Sequence, residues 1–239
     1  MTESPTEIET TQAQQPAPAE TKPAAPTRAP RNLQAAHAVL ERLFQLYPKM
    51  FGAKFLPLKL GAFQDIMARH PDDFAKEDLK VALGLHARST RYLESVAAGN
   101  PRHDLDGNPL EPVAPEHVHH AIGEIFRRKS GRNLEEAQAW RKKRLVAAIT
   151  ASGLSREDYE ARAGIKDEAA QAAVDEAFAE IAERAARHEA LKRAFAASGQ
   201  TVEQFAEMYG MKVGAVREAL GPDAASRPAS DPDPTPAST

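Results

Sequence analysis

With no cysteine among 239 residues, the chain has no route to a disulfide or a thiolate metal site, a composition compatible with a reducing compartment. No apolar run reaches the length of a membrane span, and residues 1–31 lack the basic and apolar regions of a signal peptide, so a soluble cytoplasmic protein is expected. The formal net charge of −3 hides a basic middle, and because charge acts within a Debye length of roughly 8 Å, it does not exclude nucleic acid: Arg127 to Arg144 holds eight positive side chains against Glu135 and Glu136, whereas Leu145 to Leu220 holds nine positive and thirteen negative.

Residues 1–31 combine six prolines with Thr, Gln, Ala and Glu, and the stretch after Gly221 combines five prolines with Ser, Ala and Asp. Neither composition can bury enough apolar surface to offset the entropy of ordering, so both ends are expected to be disordered. Leu33, Ala36, Leu40, Leu43, Phe44 and Tyr47 recur at helical spacing and predict a first helix closed by Pro48. A short helix follows Pro57, with Leu60, Phe63, Ile66 and Met67 on its apolar side. His70-Pro71-Asp72-Asp73 is a turn. A third helix turns Leu79, Ala82, Leu83 and His86 inward and leaves Lys76 and Lys80 at i, i+4 on another face. Gly84 and Arg88-Ser89-Thr90 weaken that helix before Tyr92, Leu93 and Val96 resume an apolar pattern.

Gly99-Asn100-Pro101 signals a loop, and Asp106-Gly107 signals a tight turn joining two short strands, so a small β-hairpin is expected. Pro115 suits the first position of a helix whose apolar side is Val118, Ala121, Ile122, Ile125 and Phe126. Asn133 with Glu136 three residues on is a capping pattern that opens the next helix. Beyond it lies an internal repeat at an offset of 46: Ala151-Ser152-Gly153-Leu154-Ser155 against Ala197-Ser198-Gly199-Gln200-Thr201, Tyr159 against Phe205, Gly164 against Gly210 and Lys166 against Lys212. Val174, Phe178, Ile181, Ala185, His188 and Phe195 fit one long amphipathic helix between the copies.

No metal site or cofactor is expected. In His117-Val118-His119-His120, positions i and i+2 of a helix point about 200° apart and cannot form an i, i+4 ligand pair. Asp104-x-Asp106-Gly107 fails the register of a calcium loop because its glycine comes too early. Nucleotide-loop and nucleophile-elbow patterns are absent, and no paired carboxylates present themselves for acid–base work, so an enzyme is not expected. Lys76, Lys80, Arg88, Arg91 and Arg102 with Tyr92 read either as a solvated face or as an RNA surface, in which cations neutralise phosphates and an aromatic stacks on a base. In the second repeat copy, Ala206, Gly210 and Val216 stand at helix-turn-helix spacing, although Val213 to Leu220 offers only Arg217 to a base.

Pro57-Leu58-Lys59-Leu60-Gly61-x-Phe63-Gln64-Asp65, Leu79-x-x-Ala82-Leu83, Arg91-Tyr92-Leu93, Arg102-x-Asp104-Leu105-Asp106-Gly107-Asn108-Pro109 and Glu116-His117-Val118-x-His120-Ala121, in that order, resemble the ProQ/FinO domain of proteobacterial RNA chaperones. The resemblance covers roughly residues 33–129. It implies a mostly helical domain with a small β element; together with the distal helices and the Pro-rich ends, the expected fold class is mainly α, a ProQ/FinO-like helical domain with a small β-hairpin followed by an all-α extension, with disordered termini. It also implies an RNA chaperone that binds structured RNA with a 3′ single-stranded end, at terminator hairpins of small RNAs and mRNAs, in post-transcriptional regulation. A concave basic face would hold the stem, and a pocket near the tyrosine and arginine would receive the terminal nucleotides. Carried onto matching positions, the RNA-binding candidates are Lys59, Lys76, Lys80, Arg91, Tyr92 and Arg102. Lys80 stands where the family often has arginine, Gly84 replaces a basic residue and His86 replaces a tyrosine.

The expected organisation is a leader over 1–31, the RNA-binding domain over 32–130, a basic linker and helix start over 131–144, a helical accessory domain with the internal repeat over 145–220, and a tail over 221–239. The accessory domain lies outside the resemblance and leaves room for a protein partner. The alternative reading is a DNA-binding or protein-interaction adaptor acting through the distal helix-turn-helix-like repeats.

Overall fold

The computed structural model describes residues 29–52 and 54–221. The leader and tail expected to be disordered therefore lie outside the described residues, apart from Ala29–Arg31, which already belong to the first helix, α1 (Ala29–Leu46). Ala36 and Leu43 of α1 and Tyr47 just after it are buried and Leu40 is partly so, whereas Leu33 and Phe44 of the same expected stripe face outward, 46% and 51% exposed. Pro48 does not simply end the helix. It stands at the first position of a one-turn helix, α2 (Pro48–Phe51), where its missing N–H costs nothing.

After α2 come α3 (Ala62–Arg69), α4 (Lys76–Arg88) and α5 (Thr90–Ala97). The weak point expected near Ser89 is a true break: the Ser89 hydroxyl accepts from the Tyr92 N–H at 3.2 Å and caps α5. Between α5 and α6 (Pro115–Ser130) the chain makes a minimal hairpin. Leu110 N–H donates to Arg102 C=O at 2.7 Å and Arg102 N–H to Glu111 C=O at 2.9 Å, while His103 also pairs in parallel with Leu58. Asp104 shapes the turn by accepting from the backbone N–H of Asp106 (2.9 Å) and of Asn108 (2.8 Å), and Arg69 grips the Asp106 carboxylate through both guanidinium nitrogens. The Asn108 side-chain amide, donating to Asp104 at 2.9 Å, together with the Asn108 backbone, and Arg69 at Asp106 hold both carboxyls below their ordinary range. Among the described residues no cluster of His, Asp and Glu could hold a metal ion, and no helix is long and apolar enough to cross a membrane.

The remaining helices are α7 (Leu134–Ser152), α8 (Arg156–Ala163), α9 (Glu168–Ser198), α10 (Val202–Met208) and α11 (Val213–Leu220). The repeat is built at atomic detail. Gly153 and Gly199 each end a helix at φ 62, a left-handed conformation that costs a β-carbon-bearing residue energy. Ser152 and Ser198 each donate to the carbonyl three residues back and accept from the N–H two residues on. Ser155 and Thr201 then cap the next helix, and Tyr159 and Phe205 fill the core of their copy.

Three apolar clusters result. The first gathers α1 to α4 and Leu105; the second runs from Leu93 of α5 through Ile122 and Ile125 of α6 to Leu145, Ile149, Tyr159 and Val174; the third joins Phe195, Phe205, Val216 and Leu220. Packing is thus continuous across Arg144, and residues 134–144 form a docked helix instead of a loose tether. Between the second and third clusters, α9 is exposed from Ala182 to Arg187 on every side. Ion pairs at i, i+4, Arg184 with Glu180 and Arg187 with Glu183, support it there.

Candidate nucleic-acid interface

The parallel pairing of Leu58 with His103 fixes the Pro57–Leu60 segment, and two side chains complete the clamp. Tyr92 Oη accepts from the Leu58 N–H at 3.1 Å, and Arg102 Nη1 donates to the Leu58 carbonyl at 2.8 Å. Tyr92 also packs against both the first and second clusters, so burial pushes its phenol above its ordinary range. Leu60, two residues after Leu58, is thrust outward and is 71% exposed.

Tyr92 and Arg102 open onto a cavity of about 440 Å³ between the end of α4, α5, the hairpin and α6, whose wall includes Arg88, His117, His120 and Arg128. Arg128 is held in place by donating to Thr90 Oγ1 and to the Arg88 carbonyl, both at 2.9 Å, where a cation suits the C-terminal end of α4. Arg88 lies over Gly84: a β-carbon built on Gly84 would come within 3.5 Å of both its terminal nitrogens. The basic side chain that α4 lacks at residue 84 is thus supplied from one turn further on.

The six candidates fall into three groups. Tyr92 and Arg102 line the cavity. Lys76 and Lys80 are exposed on the face of α4 that climbs, with helical drift, toward Gly84 and Arg88. Lys59 and Arg91 lie outside the cavity wall: the Lys59 ammonium is paired with Asp65 at 2.5 Å, and the Arg91 guanidinium stands 5.8 Å from the Phe55 ring centre. The six candidates omit Arg88, Arg128, His117 and His120, although Arg88 stands in the basic set of the sequence, Arg128 in its basic stretch and both histidines in the histidine cluster; spacing does not bring them together, since α4 and α6 meet through tertiary packing.

Residues 33–138 match the model of the ProQ/FINO family. These residues are a ProQ/FinO-family domain. Among curated relatives, the RNA chaperone ProQ of Shewanella frigidimarina (strain NCIMB 400) is 43% identical over 94 residues, covering 38% of this chain and 46% of that protein. RNA chaperone ProQ of Shewanella oneidensis is 43% identical over 93 residues, 37% of this chain and 44% of that protein. The chain spans less than half the length of the curated relatives it matches. A solved FinO-like RNA chaperone from Neisseria meningitidis MC58 aligns at 28% identity and a TM-score of 0.34, covering 37% of this chain and 92% of that one.

The ProQ/FinO match ends inside α7, and the basic stretch there is largely engaged. Lys142 bridges Glu176 and Glu180 at 3.0 and 3.1 Å, Arg141 lies over the Phe126 ring at 4.0 Å, and Lys129 and Arg144 approach Trp140 at 5.6 and 5.9 Å. A free polybasic linker is therefore not what this stretch provides. Its cations fasten α7 to α6 and α9.

His86, at the place of a tyrosine in the resemblance, sits in an aromatic cage of Phe51, Phe55 and Tyr92 with ring centres 4.6, 4.5 and 5.1 Å away, and its Nε2 has no hydrogen-bond partner among the described residues. Burial lowers its pKa from 6.5 to about 4. The folded state therefore takes up this proton less readily than the unfolded chain. Stability is fully present above pH 6.5 and is lost as pH falls toward about 4, by about 3 kcal/mol at the limit. Urea midpoints at neutral and mildly acidic pH should diverge in the parent protein, and His86→Phe should bring them closer together; an unchanged gap would show that other groups set the acid sensitivity.

Proposed function

We propose that this protein is an RNA-binding RNA chaperone that recognises structured RNA with a 3′ single-stranded end, such as the terminator hairpins of small RNAs and mRNAs, and acts in post-transcriptional regulation in the cytoplasm. The observation that carries the reading is the cavity walled by Tyr92, Arg102, Arg88 and Arg128: three guanidiniums around one aromatic suit unpaired nucleotides and their phosphates. The names of the ProQ relatives, RNA chaperones, support it. In this reading Tyr92 and Arg102 hold the terminal nucleotides. Lys76 and Lys80 meet stem phosphates along α4, with Lys59 and Arg91 at the margins. Arg102 gives one of its five N–H groups to Leu58 and keeps others for a phosphate.

A gel-shift series with one hairpin, offered with its 3′ tail, without it, and with its 3′ end blocked, tests the proposal. Affinity should fall roughly tenfold or more on either change, the loss of one or two stacked, charge-paired nucleotides. Equal binding of all three RNAs would sink it.

Contact with another protein through the distal module is a second reading, favoured by adjacent Met208 and Tyr209, 58% and 56% exposed. The DNA alternative loses support because Arg217, the cation of α11, is tied to Glu203 at 2.6 Å.

A further inference from the structure

A second cavity, of about 300 Å³, lies on the other side of α6, closed by α7 and the start of α9; Phe126, Arg127, Arg141, His120 and Asp167 are among its walls. His120 and Glu124, one turn apart on α6, line this cavity and also the one that holds Tyr92 and Arg102. The two spaces share a wall. On either side of Glu124 an arginine from consecutive positions leans on its carboxylate: Arg127, which lines the second cavity, is in direct contact, and Arg128, which lines the first, is 3.9 Å away. Its charge is thus offset where a phosphate would cross.

Arg141 marks what the second cavity would take. Its guanidinium stands over Phe126, 4.0 Å from the ring centre, and it feels Glu176 and Asp167 through space without a hydrogen bond to either. Burial lowers its pKa, although an arginine stays protonated all the same. Its N–H groups, with no acceptor among the described residues, remain available to one that arrives. A planar guanidinium backed by an aromatic ring also offers a stacking surface for a base. The remaining wall is apolar, from Ile122, Leu145 and Ala173, and the volume suits one nucleotide and no duplex.

We infer that this cavity is a second nucleotide subsite, in which one base of a single-stranded RNA tail packs on Arg141 next to the nucleotides held at Tyr92 and Arg102. It rests on the RNA reading above. The added helices α7 and α9 then extend the RNA site itself, and the family-matched domain is completed by residues beyond its end.

The full chain is to be titrated, by fluorescence anisotropy, with hairpins of one stem carrying 3′ tails of about two and about six nucleotides. Arg141→Gln should weaken binding of the long-tailed RNA roughly fivefold or more, one stacking contact, and leave the short-tailed RNA unchanged, while Arg102→Gln weakens both. An equal effect of Arg141→Gln on the two RNAs, or none on either, overturns the subsite. Failure of the parent protein to distinguish tailed from tailless RNA would instead count against the RNA reading. Should Arg141→Gln alter the melting curve, 4-thiouridine placed in turn at each tail position of the parent complex gives an independent answer. At least one position should crosslink to a peptide carrying Phe126 or Arg141, and crosslinks confined to the Tyr92–Arg102 region overturn the inference.

Discussion

A chain ending at Arg144 should lose the cooperative unfolding transition that a chain ending at His188 keeps. The first cut removes Leu145, Val146, Ile149, Tyr159 and Val174, all buried in the same apolar cluster as Ile122 and Ile125 of α6. At about 1.5–3 kcal/mol for each large apolar side chain, the loss is on the order of 10 kcal/mol, as large as the whole stability of an ordinary domain. The second cut removes only α10, α11 and the end of α9, whose cluster of Phe195, Phe205, Val216 and Leu220 is separate. Urea denaturation followed by circular dichroism decides the matter. If the Arg144 chain unfolds with the midpoint of the full chain, the helices after α6 are ornaments on an independent domain. Trimming the protein to its family-matched residues therefore removes part of the core that supports the candidate site.

Tyr92 should show the largest effect of any single side chain in the candidate site. Tyr92→Ala empties a position that touches two clusters and should cost about 3–5 kcal/mol, as other large aromatic truncations do. RNA affinity should fall by more than tenfold with it, but that loss mixes binding with unfolding. Tyr92→Phe separates them. It keeps the ring against His86 and leaves the Leu58 N–H without its acceptor, a cost of about 1–3 kcal/mol. Loss of tail-dependent binding in a folded Tyr92→Phe protein would mean that the Leu58 segment, held from its N–H side by Tyr92 and from its carbonyl side by Arg102, shapes the pocket. Full affinity in that variant would assign the contact to the ring face alone.

Local chemistry was readable along the chain. The cap at Asn133, the proline at the head of α6 and the aspartate-built turn depend on residues within four positions of one another, and all stand where spacing put them. The duplicated serine and glycine corners were visible as letters before they were seen as geometry. What spacing could not supply were relations between distant segments. Lys142 finds Glu176 and Glu180 on α9, Lys129 finds Glu94 on α5, and so a run of cations that looks free on paper is largely fastened down. The same limit kept Arg88 and Arg128, both visible as cations, out of the candidate set, because their places in the cavity depend on α4 meeting α6. It also made Phe44 look like core: a helical stripe shows which residues share a face, but its width is set by how much of that face finds a neighbour.

The bare middle of α9 couples the two ends of the protein by angle as well as by distance. Each residue added there would turn the distal module by about 100° and move it about 1.5 Å. Changes in length by about a whole number of turns would keep the bearing of Met208 and Tyr209 relative to the cavity at Tyr92 and Arg102, and other changes would swing them to another side. The span behaves as a keyed shaft, on which register is the quantity to be conserved and composition is free to drift as long as the helix holds.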